Sequence, residues 1–201
     1  MSTFGGRVTE PANPRTAVAP RARLLRGRLL VLDDHENLCG GPDAPSAVSG
    51  LVWTALASAL GITADDNVIV GLSEFGARNF MESLPVSTLQ LVIGHGQDGA
   101  DRALIGAVDP EHVATRFDSV AIASGDHIFS GLAWRLRALG LLVCNVTTGA
   151  SGPSRALARA CQCHARLKVD VRDRALLARL AATRVAGHGY EGQWIGRHVS
   201  D

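Results

Sequence analysis

No apolar run in this chain of 201 residues approaches the roughly 18 needed to cross a bilayer, which argues against a membrane-spanning helix. The first thirty residues lack the apolar stretch and small-residue cleavage site of a secretory leader, so export is not expected. Cysteine is scarce: four scattered thiols do not make a disulfide scaffold, and a reducing, cytoplasmic setting is the simpler expectation. Lysine is scarcer still, because Lys168 stands alone and almost all of the basic charge is arginine. What is present is a globular composition, 46% apolar and 19% charged, long enough for one domain with a sizeable core.

The net charge of +1 conceals a division. Residues 1–28 carry six Arg and one Glu, residues 29–164 carry seven Arg against fourteen acids, and residues 165–201 carry seven basic and four acidic side chains. An acidic body with basic ends suits a cation site flanked by arms able to touch phosphates, although solvated tails on an ordinary acidic domain would look the same. Residues 1–27, rich in Pro, Gly and Arg and without apolar periodicity, read as a disordered or weakly attached arm. Residues 28–167 read as the folded domain and 168–201 as a C-terminal helix, marked by Leu176, Leu177, Leu180 and Ala181, with a tail.

Within the domain, short apolar runs alternate with helical patterns. The runs are Leu29–Asp33, Asn67–Leu72, Leu89–Ile93, Ser119–Ala123 and Leu141–Val146. Between them, Val48, Leu51, Val52, Ala55, Leu56, Ala59 and Leu60 recur at helical spacing and stop at Gly61; short helices are expected at Glu74–Ser83 and Val113–Phe117. Phe129, Leu132, Leu136 and Leu139 form a helical stripe closed by Gly140, and Pro153 opens a further helix. Nearly all-apolar strands need cover on both faces, so the expected fold class is α/β: a three-layer α/β/α arrangement around a mainly parallel five-stranded sheet. Ligands of such sheets sit beyond the carboxyl ends of the strands.

Those ends are acidic. Asp33-Asp34-His35-Glu36-Asn37 follows the first strand, Gly94-His95-Gly96-Gln97-Asp98-Gly99-Ala100-Asp101 the third, and Ser124-Gly125-Asp126-His127 the fourth. Carboxylates brought together repel, and a divalent cation is the usual offset; Mg²⁺ suits, taking oxygen ligands, keeping waters and needing few carboxylates. A metal on an acidic rim implies a phosphate-bearing substrate. Each acid alone could be a turn or helix cap.

Asp34-His35-Glu36-Asn37 resembles the D-x-E-N opening of the NYN domains, a branch of the PIN-like nucleases. Asp98-Gly99-Ala100-Asp101 is similar to that family's K-G-x-D segment. Ser124-Gly125-Asp126 with Phe129 and its helix resembles S-G-D-x-D-F, and Leu141–Val146 with Ser151–Ala160 resembles the closing strand and Ser-initiated helix. The resemblance implies a PIN-like, Rossmann-like fold and a Mg²⁺- or Mn²⁺-dependent ribonuclease leaving 5′-phosphates, with RNA as partner and a homodimer possible. It makes Asp34, Asp101 and Asp126 the metal-binding acids and Asn37 a substrate or strand-end contact, with Asp33 and Asp98 as weaker candidates. Ser124 and Arg155 are candidate substrate contacts, Arg155 and Arg159 standing one turn apart; His35 and His127 flank metal acids and are expected to face solvent or support their neighbours. The departures are Asp98 for the lysine of K-G-x-D, Ile128 for the second acid of S-G-D-x-D, and Ala107 for an acid after the K-G-x-D aspartate. They favour, as the alternative, a catalytically degenerate domain that binds RNA or protein.

Other readings fit less well. Val31–Glu36 looks like the opening of a response-regulator receiver, but that fold needs an acceptor Asp where the third strand ends in Gly94 and a Lys where Thr147 and Thr148 follow the fifth. Gly94–Gly99 matches G-x-G-x-x-G, but a dinucleotide fingerprint belongs in the first strand–helix turn. Cys161, Cys163 and His164 suggest zinc only if a second pair exists, and none does; a helix carrying core cysteines is expected there. Trp53 and Trp134 are expected in the core, and the role of Trp194 is not legible.

Overall fold

The computed structural model describes residues 27–149 and 152–169. Most of the expected N-terminal arm, the expected helix at 176–181 and Trp194 lie outside them.

The chain alternates strand and helix as the apolar runs require. β1 (Leu29–Asp34) leads directly into a one-turn helix, α1 (His35–Cys39), and then α2 (Ser46–Leu60), which Gly61 ends in the left-handed conformation at φ 55°. β2 (Asn67–Ser73) is followed by α3 (Glu74–Phe80), whose N-terminus Ser73 caps, and by a 3₁₀ turn at Met81–Ser83. β3 (Gln90–Gly94) precedes α4 (Gly99–Gly106) and α5 (Pro110–Arg116); the Asp109 carboxylate accepts the N–H groups of Glu111 and His112, and Pro110 occupies the first turn. β4 (Ser119–Ala123) leads through a 3₁₀ turn at His127–Phe129 to α6 (Ser130–Ala138). β5 (Leu142–Thr147), α7 (Arg155–Ala160) and β6 (Cys163–Arg166) complete the described chain.

The sheet has six strands rather than five, in the order β3-β2-β1-β4-β5-β6, and every pair is parallel. The extra strand corrects the expected helix through Cys161–His164. α7 stops at Ala160, Cys161 turns to extended backbone, and Cys163–Arg166 pairs along Cys144–Thr147. Cys144 and Cys163, opposite each other in that register, are joined as a disulfide that the cysteine count did not suggest, while Cys39 and Cys161 are free and buried. α7 also starts later than the expected Pro153: Ser154 is its cap, accepting from the Leu157 N–H.

Alternation along β1 divides the core in two. Leu29 and Val31 pack with Val52, Leu56 and Phe80 of α2 and α3; Leu30 and Leu32 pack with Leu104, Val113, Leu136 and Leu157 of α4 to α7. Helices therefore cover both faces, giving three layers. Trp53 is half-buried against the first cluster, whereas Trp134 is 51% exposed, with the Arg137 guanidinium stacked on it, and so is not the core residue expected. Among the described residues no helix is long and apolar enough to cross a membrane.

Candidate functional site

The strand order turns back between β1 and β4, the place where an open α/β sheet forms a crevice at its carboxyl edge. Two strand ends meet there. Ser124, just past β4, donates its hydroxyl to Asp34 Oδ2 at 2.7 Å, and its Oγ accepts the Asp126 N–H at 3.0 Å. Asn37 Oδ1 accepts the Gly125 N–H at 2.9 Å, and Asp34 Oδ1 accepts the Asn37 N–H at 3.4 Å. These bonds stitch the β1–α1 corner to the β4 corner, 88 to 90 residues away in sequence.

The third contribution comes from α4, which lies over β2 and β3. Gly94 permits it: a Cβ there would collide with the backbone of Gly99, so only glycine lets the start of α4 close on the end of β3. Asp101, in the first turn of α4, then reaches hydrogen-bond range of the Asp34 carboxyl. Burial, followed by the charge of Asp101, lifts the Asp34 carboxyl well above the ordinary carboxylate range, with the Ser124 hydroxyl and the Asn37 amide working against the shift. Asp101 is raised as well, by burial first; the hydrogen bond with Asp34 opposes this, and the charges of Asp126, Asp98 and Glu36 add to it. In the metal-free chain the two carboxyls are thus suited to sharing a proton.

The pair opens onto a cleft of about 450 Å³ walled by Asp34, Glu36, Asn37, Ser73, Asp98 and Asp101, with Gly40–Pro42 and Gly96 at its rim. Glu36 was not singled out in the sequence, though its place two residues after Asp34 on a one-turn helix was the available signal. Its carboxylate accepts both the N–H and the hydroxyl of Ser73, at 2.6 and 2.7 Å, and the missing side chain of Gly76 makes room for it. No lysine, arginine or histidine lines the cleft among the described residues.

The remaining candidates separate by position. Asp126 is near enough to act on Asp101 by charge, but its Oδ1 accepts the Ile128 N–H and lies 2.8 Å from Nδ1 of the exposed His127, so it is also a cap. Asp98 lines the cleft at φ 50°, 3.7 Å from Arg102. Ser124 is fully buried with its hydroxyl spent on Asp34, which makes it a support for that carboxylate rather than the substrate contact expected. Arg155 and Arg159 are exposed on α7 and do not line the cleft.

Asp33 leaves the site altogether. The pleat turns it to the opposite face of the sheet, where it is fully buried with its Oδ2 3.0 Å from His35 Nδ1. His35, expected to face solvent or support the acids, is buried too; burial alone would lower its pKa, but the charge and hydrogen bond of Asp33 raise it to about 10.

Among the described residues no three His, Cys, Asp or Glu side chains stand close enough to hold a metal by themselves. The donor chemistry fits a hard dication in a narrower form: two carboxyls at hydrogen-bond range, both raised by burial, match an ion that takes one or two carboxylates and keeps its waters.

No protein-family profile matches the chain, and no curated protein matches it in sequence. Among solved structures, a protein of unknown function from Vibrio parahaemolyticus aligns over 73% of this chain and 95% of its own at 16% identity, with a TM-score of 0.49.

Proposed function

We propose that this chain is a metal-dependent ribonuclease of the NYN, PIN-like type, hydrolysing RNA phosphodiester bonds at the Asp34–Asp101 pair. The observation that carries the reading is the pair itself: two carboxyls raised first by burial and then by the charge of neighbouring acids, at the point where the strand order reverses. Perturbed acids converging in a cleft are what a site for ionic chemistry needs. When bound, Mg²⁺ or Mn²⁺ would supply an activated water and positive charge for a phosphate. Asp34 and Asp101 would hold it. Ser124 keeps the Asp34 carboxylate aimed at the cleft, Asn37 locks the β1–α1 corner to Gly125, and Asp126 adds negative charge from the β4 side. A cleft walled by acids, with no basic side chain among the described residues that line it, repels a bare phosphodiester, so substrate binding at this site would depend on the cation.

A second reading, an RNA- or protein-binding module that does not cut, is favoured by Ile128. It is half-buried against the α6-side core, where the resemblance would put an acid, and Asp126 is occupied as its cap.

One experiment separates them. The full chain is incubated with 3′-labelled single-stranded RNA and Mn²⁺, beside Asp34→Asn and Asp126→Asn. The nuclease reading expects fragments carrying 5′-phosphates, none in EDTA, and a rate lower by about 100-fold or more in Asp34→Asn, since even groups that only support metal ligands cost ~10–100-fold when lost. Intact RNA that remains bound would establish the non-cutting module.

A further inference from the structure

Beneath the acidic rim, on the other face of the sheet, lies a second polar assembly that the proposed reaction does not touch. His35 Nδ1 stands 3.0 Å from Asp33 Oδ2, His35 Nε2 stands 2.9 Å from Ser49 Oγ, and Ser83 Oγ donates toward Ser49 Oγ at 2.8 Å. The imidazole meets the Phe80 ring edge-on at 5.6 Å. Asp33, His35 and Ser49 are each 0% exposed. The Asp–His–Ser order matches that of an acyl-transfer triad, but no substrate can reach a hydroxyl sealed under α2 and α3, so Ser49 is no nucleophile. Burying such a network is costly unless its members are satisfied, and Asp33 Oδ1 has no hydrogen-bond partner among the described residues. An aliphatic core would avoid that cost.

The network's position supplies a reason for it. α1 has five residues, too few to hold a helix by its own hydrogen bonds. Yet it carries Glu36 and Asn37, and Asp34 is its cap. Leu38 and Cys39 anchor α1 in the layer of α2 by apolar packing, which leaves its tilt free; His35 adds the directional contact, and Ser49 is the fixed point it finds there. We infer that Asp33, His35 and Ser49 form a positioning relay that sets the β1–α1 corner, and through it the Asp34 carboxylate and the Asn37–Gly125 bond, against the rigid helix α2. His35, with Asp33 holding its ring from one side and Ser49 from the other, fixes the ring's tilt; the tilt fixes the helix; and the helix fixes the two cleft-facing groups. This rests on the function proposed above for the site it positions.

The test is Ser49→Ala in the full chain, which removes the His35 contact and leaves a residue well suited to a helix interior. Three properties are read beside the wild type: the backbone amide resonance of Gly125, Mn²⁺ affinity by calorimetry, and RNA cleavage split into kcat and KM. The relay predicts a displaced Gly125 amide, Mn²⁺ affinity and kcat each lower by roughly 10-fold, and KM unchanged, in the range seen when supports of metal ligands are lost. Val52→Ala, a core change on the same helix, serves as the control: it should lower Tm and leave all three properties alone. A Ser49→Ala chain that loses Tm as that control does, with the Gly125 amide, Mn²⁺ affinity and kcat at wild-type values, overturns the relay. If the wild type neither binds Mn²⁺ nor cuts RNA, the nuclease reading fails, and the Gly125 amide still decides the relay: displaced supports it, unmoved refutes it.

Discussion

Neighbouring residues in β1 do opposite things. Asp34 faces the cleft and Asp33 the α2 layer, because side chains alternate along a strand. Spacing to Asn37 pointed to Asp34; the fully buried pair of Asp33 and His35 was not legible, since the group that holds the far side of the imidazole, Ser49, lies 14 residues from His35 on another element. Glu36 was missed for a similar reason, its partner Ser73 being 37 residues away. The raised carboxyls have a consequence for stability. Between the ordinary carboxylate range and their raised values, the folded, metal-free chain binds more protons than the unfolded one, so stability falls as pH climbs through that window. His35 has the same sign: its contribution is complete below about 6.5 and is lost as pH rises through about 10. Melting temperatures measured in EDTA should therefore decline from pH 5 towards pH 10. Asp34→Asn, which removes one of the two repelling charges, should melt higher than the wild type at pH 7.5, by about 1–2 kcal/mol in stability, while losing cleavage. A variant that melts lower would show that the carboxyl is not under strain.

At the scale of elements, helices with a clean apolar stripe and a stop signal were readable: α2 with Gly61, and α6 with Gly140. β6 was not, because Cys-His-Ala-Arg has neither an apolar run nor a proline or glycine boundary; it is a strand only because β5 offers it an edge. The contact between β3 and α4 was equally hidden. Gly94 looked like one glycine in a loose G-x-G-x-x-G, whereas its function is to let two backbones touch. Gly94→Ala should push the start of α4 outward, destabilise the chain by about 1–3 kcal/mol as overpacking does, and separate Asp101 from Asp34. Thermal melts and Mn²⁺ calorimetry would check both effects; an unchanged Mn²⁺ affinity would mean that the pair does not depend on this approach.

For the whole molecule, alternation of apolar runs with helices was enough for the α/β class and the parallel sheet, but strand order was not in the sequence. Nothing in one run says that β4 will sit beside β1 rather than beside β3; packing of both faces decides it. The distribution of charge belongs to this scale too. The region holding the sheet is acidic, and basic residues collect at the two ends of the sequence, so any attraction to RNA outside the cleft is expected from residues 1–28, with six Arg and one Glu. Deleting residues 1–26 should flatten the salt dependence of RNA binding without altering the rate of cleavage at saturating substrate. Binding isotherms at several salt concentrations measure the slope, and an unaltered slope would leave those arginines without a part in it.

The turn-back of the strand order also has a temporal side. Asp34 waits for Ser124, 90 residues behind it, before its carboxylate is fixed, and β1 has only β2 to pair with until β4 arrives to flank it on the other side. A chain still being synthesised carries its first acid from the outset but no finished cleft, so under the proposed function RNA cleavage would begin only after Ser124 has been made and folded into place.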